Sequence, residues 1–184
     1  MEGRRRAPYL AVVVLALLVL DVRAGLAASA AELTRNGRAA LNQLYAKQKS
    51  AKLLGQRAKS VLVFPSIVKA GFMFGGQIGE GVLFRGNSPV GYYNTVAGSY
   101  GFQAGIQKYG YALFFMNDAA LKQLESMEGF EVGVGPSLVI VDEGRGKSMT
   151  SSTITSDVYA FIFNQKGLMG GLGVQGSKIT KIDK

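Results

Sequence analysis

The most informative residues of this sequence are the basic side chains between residues 31 and 69. Only one acidic residue, Glu32, accompanies them, so the segment has a formal charge of +7. Its eight basic residues are Arg35, Arg38, Lys47, Lys49, Lys52, Arg57, Lys59 and Lys69. The body that follows, residues 70–184, contains nine basic and nine acidic residues and is neutral. A basic segment attached to a neutral body indicates an anionic partner, either a membrane surface or a nucleic acid.

The residue types that most catalytic and metal sites require are missing. The sequence contains no histidine and no cysteine, which excludes a Ser-His-Asp triad, a Cys-His nucleophile, a disulfide and a zinc site built from these residues. Only Asp142 and Glu143 are adjacent carboxylates in the body, and they precede a Gly-Arg-Gly turn, where charges are usually solvated. A glycosidase pair would instead face each other across a cleft. We therefore expect no enzyme activity, no catalytic residue, no cofactor and no metal.

The N-terminus has the three parts of a secretory signal peptide. Arg4–Arg6 form a basic start, Leu10–Leu20 is an unbroken apolar run, and Ala28-Ser29-Ala30 is a small-residue cleavage signal. We expect residues 1–30 to be removed and residues 31–184 to form a single domain that is exported, periplasmic or secreted, and peripheral to the membrane. The apolar run is shorter than the roughly 20 residues that span a bilayer, and an uncleaved anchor is the alternative.

The spacing of residues in the basic segment predicts an amphipathic helix. At 100° per residue, six apolar residues share one side: Leu33, Ala40, Leu44, Ala51, Leu54 and Ala58. Six basic residues cluster on the other side and are the predicted lipid-binding residues: Arg35, Arg38, Lys49, Lys52, Arg57 and Lys59. Gly37 and Gly55 each weaken a helix by about 1 kcal/mol, which predicts a break near Gly55. Such a helix packs on the body, faces a membrane, or does both.

From Val61 onward, short apolar or alternating runs separated by glycine indicate strands. The predicted runs are Val61–Phe64, Ile67–Phe74, Gln77–Phe84, Val90–Ala97, Tyr100–Gln107, Tyr111–Met116, Glu131–Val134, Ser137–Val141, Ser148–Thr155, Val158–Asn164, Leu168–Gly173 and Ser177–Ile182. Glycines inside these runs, such as Gly79 and Gly81, favour strong curvature or close approach of two layers. One short helix is predicted over Asp118–Glu125, after an N-cap at Asn117 or Asp118.

The predicted fold class is therefore α+β and mainly β. A basic amphipathic N-terminal helix would lie on a Gly-rich, strongly curved antiparallel sheet, barrel-like or a sandwich, with one short internal helix.

Four blocks of the sequence, in order, resemble one known family. They are AKSVLVFPSIVKAGFMFGGQIGEGVLF at 58–84, AGSYGFQAGI at 97–106, VGVGP at 132–136 and NQKGLMGGLGVQGS at 164–177. These blocks are similar to the SYLF domain, a lipid-binding module of actin-patch proteins that also occurs in secreted bacterial proteins. The resemblance covers nearly all of residues 31–184.

The resemblance implies non-enzymatic binding of phosphoinositides or other anionic phospholipids, with the N-terminal helix contributing. Some eukaryotic members bind actin, a partner that an exported protein does not ordinarily meet. Other hypotheses stay open: a secreted scaffold or self-assembling module without lipid activity, nucleic-acid binding through the same charges, and a hydrolase using a lysine or carboxylate. Export argues against nucleic acid, so we expect an anionic membrane surface as the partner, and self-association is compatible with it.

Overall fold

The computed structural model describes residues 28–126, 129–131, 137–141, 154–167 and 177–184, without the side chains of 72–74 and 99–104. Its helices are α1 (Ala30–Lys47), α2 (Lys49–Arg57) and α3 (Asp118–Glu125). Residues 1–27 of the expected signal peptide lie outside the described residues, and cleavage after Ala30 stays a prediction. In the described part of the chain, no helix is both long enough and apolar enough to cross a membrane.

The basic segment forms two helices, and the break between them is not where glycine predicted it. Gln48 is extended, with φ −129° and ψ 107°, while α2 continues through Gly55 to Arg57. A Cβ at Gly55 would collide with the hydroxyl of Tyr45. Gly55 therefore lets the Tyr45 ring pack between the helices, and this contact explains a glycine at a position where the helix does not break.

Both helices pack their apolar side on the sheet, which is one of the arrangements that the amphipathic pattern left open. The buried helical residues include Leu33, Ala40, Leu41, Leu44, Ala51 and Leu54. They form one apolar cluster with strand residues such as Val82, Phe84 and Phe114. Ser29 caps α1 by accepting a hydrogen bond from the Glu32 N–H at 3.2 Å. The helices are thus docked on the body, with their polar side turned outward.

The strands are β1 (Ser60–Arg85), β2 (Ser88–Phe115), β3 (Phe130–Glu131), β4 (Leu138–Ile140), β5 (Val158–Gly167) and β6 (Lys178–Ile182). Three predicted runs merge into β1 and three into β2, and these two long strands pair along their whole length around a turn at Gly86-Asn87. The sheet order is β3-β6-β2-β5-β4, with β1 beside β2. The prediction of a mainly β fold with a strongly curved sheet is confirmed, because the sheet curls into a half-barrel.

Three predicted strands lie wholly or mostly outside the described residues. Leu168–Gly173 is entirely outside, and Glu131–Val134 is described only at Glu131, which belongs to β3. Most of Ser148–Thr155 is outside as well, and its two described residues, Ile154 and Thr155, are not in a strand.

The sheet is not wholly antiparallel, because β4 pairs parallel to β5. Asp157, just before β5, stabilises this pairing of β4 with β5. Its carboxylate accepts hydrogen bonds from the backbone N–H and the hydroxyl of Ser137, both at 2.9 Å. It also accepts one from the side-chain amide of Asn117 at 2.6 Å. The Ser137 and Asn117 hydrogen bonds hold the pKa of Asp157 below its usual range. Asn117 also caps α3, as predicted, by accepting from the Ala120 N–H at 2.9 Å.

The curvature brings the two halves of β1 against each other. A Cβ at Gly79 would lie 3.2 Å from the Cα of Ile67, and a Cβ at Gly81 would lie 2.7 Å from Cδ1 of Phe64. Side chains at these two positions would push the halves apart. The predicted use of strand glycines for close approach is therefore confirmed at Gly79 and Gly81, and residues on the inner side of the curl form a second apolar cluster.

Candidate anion-binding surface

Three of the six predicted lipid-binding residues form an exposed set of cations. Arg35 lies on α1, and Lys49 and Lys52 lie one turn apart on α2. All three are exposed, and among the described residues none of their side chains has a hydrogen bond or ion pair. Nothing in the described structure competes with an external anion for these charges.

Arg38 instead binds the body of the protein. Its Nη2 donates a hydrogen bond to the carbonyl oxygen of Asn87 at 2.6 Å. Its guanidinium carbon lies 5.1 Å from the centre of the Phe84 ring, within cation–π distance. The guanidinium is therefore held in one place, with its remaining N–H groups available to a ligand.

The last two predicted residues are less available. Lys59 pairs with Asp118 at 3.7 Å, and the two side chains are 54% and 70% exposed, so water screens the pair. Arg57 is exposed, and its side chain already interacts with another part of the protein. The structure thus divides the predicted set into an outward-facing group and residues already engaged with the protein.

Two further basic residues of the segment do not contribute to this surface. Lys47 donates a hydrogen bond from Nζ to Oδ1 of Asn164 at 3.0 Å. Lys69 is only 5% exposed and lies opposite Gln107, which is equally buried, on the inner side of the curled sheet. The sequence count of eight basic residues therefore overstates the charge presented outward.

A groove of about 260 Å³ lies between α1, α2 and the β1–β2 turn. Its polar lining consists of Arg38, Asn42, Lys52, Gln56 and Asn87, and its apolar lining includes Leu41, Tyr45 and Phe84. Burial raises the pKa of Tyr45 to about 12. Its phenol is neutral at physiological pH, as in any ordinary tyrosine, and can donate a hydrogen bond. Two cations beside amide donors form a site suited to a phosphate or carboxylate.

Sequence reasoning identified Arg38 and Lys52 but missed the amide side chains and the turn that complete the groove. The Gly-Asn pair at 86–87 signals a hairpin turn, yet no local pattern states that this turn comes back against α1. The link is a long-range contact between Arg38 and Asn87. Among the described residues, no group of three or more acidic side chains is placed to hold a metal ion.

The comparisons with known proteins agree with the resemblance found in the sequence. Residues 96–184 match the Ysc84 family, described as Las17-binding protein actin regulator. This match covers just under half of the chain and is consistent with the SYLF resemblance of its sequence. Families of this kind are binding domains associated with lipids and actin regulators and are not known as enzymes. No curated protein matches the chain.

The family match begins inside β2 and includes β5 and β6, whereas α1, α2 and β1 lie outside it. The groove and the exposed cations belong to the part of the chain before the match. The family match therefore assigns no role to them.

Proposed function

We propose that this protein is a non-enzymatic module that binds anionic phospholipid surfaces through the exposed cations of α1 and α2. The observation that carries the proposal is that Arg35, Lys49 and Lys52 are exposed on docked helices and have no partner among the described residues. The lipid association of the SYLF family supports the same partner.

The mode of binding is adhesion by charge, because the apolar side of the helices is occupied. Leu44 and Leu54 are 1% and 0% exposed in their contacts with the sheet. Inserting that side into a bilayer would require the helices to leave the body and would expose the apolar sheet residues beneath them. The outward-facing cations can reach lipid headgroups without any such change.

The expected strength follows from the number of cations. Each Lys or Arg near an anionic membrane surface contributes about 1 kcal/mol. Three such residues contribute about 3 kcal/mol, or about 100-fold in partitioning. That is enough for reversible binding of a peripheral protein.

The groove gives this surface a place for one phosphorylated headgroup. Arg38 is held in position by Asn87 and Phe84, and Lys52 belongs both to the groove and to the exposed set. A phosphoinositide-like headgroup would set one phosphate between Arg38 and Lys52, with its other phosphates toward the solvent. The groove's volume, about 260 Å³, suits a headgroup rather than acyl chains. The secretory pattern at the N-terminus makes an exported location part of the proposal.

The test is co-sedimentation of residues 28–184 with vesicles of phosphatidylcholine mixed with an anionic phospholipid. We expect the double variant Lys49→Gln with Lys52→Gln to bind about 30-fold more weakly, since two contributions of about 1 kcal/mol are lost. The matched control is Lys122→Gln with Lys181→Gln, which removes the same charge from exposed positions on α3 and β6. Both variants should unfold at the temperature of the original chain.

Equal weakening by the two double variants would contradict the assignment of binding to α2 and would indicate a general effect of net charge. A panel of headgroups, including phosphatidylinositol phosphates, then tests the groove. Arg38→Gln should reduce any preference for phosphorylated inositol while leaving binding to phosphatidylglycerol nearly unchanged.

A further inference from the structure

An apolar band runs across the outer side of the curled sheet, beyond the area that the helices cover. It consists of Val68, Ile78, Val96 and Ile106, of which Ile78 and Ile106 are 62% and 68% exposed. Large aliphatic side chains this exposed on neighbouring strands form a patch rather than isolated surface residues. Neither the family match nor the basic helices explain it.

The strand register places these residues side by side. Ile78 lies directly opposite Val96, and Ile106 lies opposite Ala70, two residues along β1 from Val68. Directly opposed residues, and residues two apart on one strand, share a face of the sheet. The two halves of β1 approach each other at Ile67 and Gly79, and Val68 and Ile78 are the exposed sequence neighbours of these two residues.

Lysines flank the band at both ends. Val68 pairs with Lys108, which in turn pairs with Lys166 of β5. At the other end Val96 pairs with Lys178 of β6. All three lysines are exposed.

The charges around the band are mostly positive. The carboxylate of Glu80, two residues from Ile78 on the same face, is held by Nζ of Lys184 at 2.8 and 2.9 Å. Glu131, opposite Lys178 in β3, is the acidic residue beside that end of the band.

We infer that this outer band is a second membrane-contact surface, which rests its aliphatic side chains at the headgroup–acyl boundary while its lysines meet anionic headgroups. The inference rests on the proposed lipid binding. It adds a shallow apolar contact to the charge-based adhesion of the helices. The Ala28 N–H, two residues before α1, donates to Glu80 at 3.2 Å, so the band lies next to the beginning of the helical surface.

Charge complementarity selects a bilayer over a second copy of the chain. A symmetric pairing through this band would bring Lys108, Lys166 and Lys178 close to their equivalents, in a protein that already has a net charge of +9. An anionic bilayer satisfies the lysines and the aliphatic side chains at the same time.

The chain contains no tryptophan, so a single introduced tryptophan reports only on its own surroundings. The experiment uses the full chain in three versions: Ile78→Trp, Ile106→Trp and the control Ile140→Trp. Ile140 is 42% exposed on β4 and lies outside the band. Emission is recorded with vesicles of phosphatidylcholine and phosphatidylglycerol, with and without brominated lipid as a quencher of shallow depth.

We expect blue-shifted, quenchable emission from Ile78→Trp and Ile106→Trp and unchanged emission from Ile140→Trp. All versions share residues 1–30, so that segment contributes equally to each. Replacing the aliphatic side chains instead, with Ile78→Ser and Ile106→Ser together, should weaken vesicle binding roughly tenfold.

Unshifted emission from both band positions, in protein that sediments with the vesicles, would overturn the inference and leave the helical surface as the lipid contact. A blue shift that grows with protein concentration without vesicles would also overturn it, in favour of a second copy as the occupant. Loss of sedimentation with all vesicles would be the distinct failure of the proposed function itself.

Discussion

Gly81→Ala tests the close packing that closes the curl of β1. The added Cβ would lie 2.7 Å from Cδ1 of Phe64 and 2.9 Å from the carbonyl oxygen of Val63. Phe64 is fully buried, and a backbone oxygen cannot move without displacing its strand. Overpacking of this kind costs about 2 kcal/mol, which lowers the midpoint of thermal unfolding by about 5 °C for a protein of this size.

The matched control is Gly98→Ala, because no atom that the structure describes lies within 4 Å of a Cβ at that position in β2. We expect this variant to be unchanged or more stable by about 0.5 kcal/mol, since alanine restricts the unfolded chain more than glycine does. Differential scanning calorimetry measures both variants. Equal midpoints for Gly81→Ala and Gly98→Ala would refute the close approach of the two halves of β1.

Two further predictions concern contacts that fasten the fold. Lys184→Ala removes a cation whose side chain is 9% exposed and leaves the Glu80 carboxylate without it, so we expect a loss of about 2 kcal/mol and faster amide exchange in the first turn of α1. Asp157→Asn weakens the hydrogen bonds from Ser137 and Asn117, which hold the pKa of the Asp157 carboxyl below its usual range. A carboxyl whose pKa is lower in the folded state stabilises the fold at pH values above its unfolded-state pKa of about 3.9. This stabilisation is lost as the pH falls through the folded-state pKa. The urea midpoints of variant and parent should therefore differ at pH 7 and converge below about pH 4.

The local features of the fold were predictable from the sequence. Five of the six residues predicted on the apolar side of the basic segment are buried in α1 and α2, and Asn117 caps the short helix as its side-chain type indicates. Six of the short predicted strands are parts of the two long strands β1 and β2. Bulges, such as the one between Phe64 and Ile67, let a strand continue where the alternation of its side chains is interrupted. The glycines of β1 correctly predicted close approach of its two halves. The helix break predicted near Gly55 was wrong, because Gly55 makes room for the ring of Tyr45.

The division of the candidate site could not be predicted, because it depends on contacts between distant parts of the chain. Arg38 and Lys52 look alike in the helical pattern, yet Arg38 alone is held by the turn at Asn87 and the ring of Phe84. Lys69 is in the same basic segment but faces the inner side of the sheet, because its register with Gln107 puts it there. The parallel pairing of β4 with β5 likewise has no local signature.

The central claim is that the basic helical surface binds anionic membranes by charge. Its most direct test is co-sedimentation of residues 28–184 with vesicles of phosphatidylcholine alone and with vesicles containing phosphatidylglycerol, at low and at high salt. The screening length falls from about 30 Å at 0.01 M to about 3 Å at 1 M salt. We predict binding to the anionic vesicles at low salt, loss of most of that binding at high salt, and little binding to phosphatidylcholine. Equal binding to both vesicle types, or no binding to either at low salt, would contradict it.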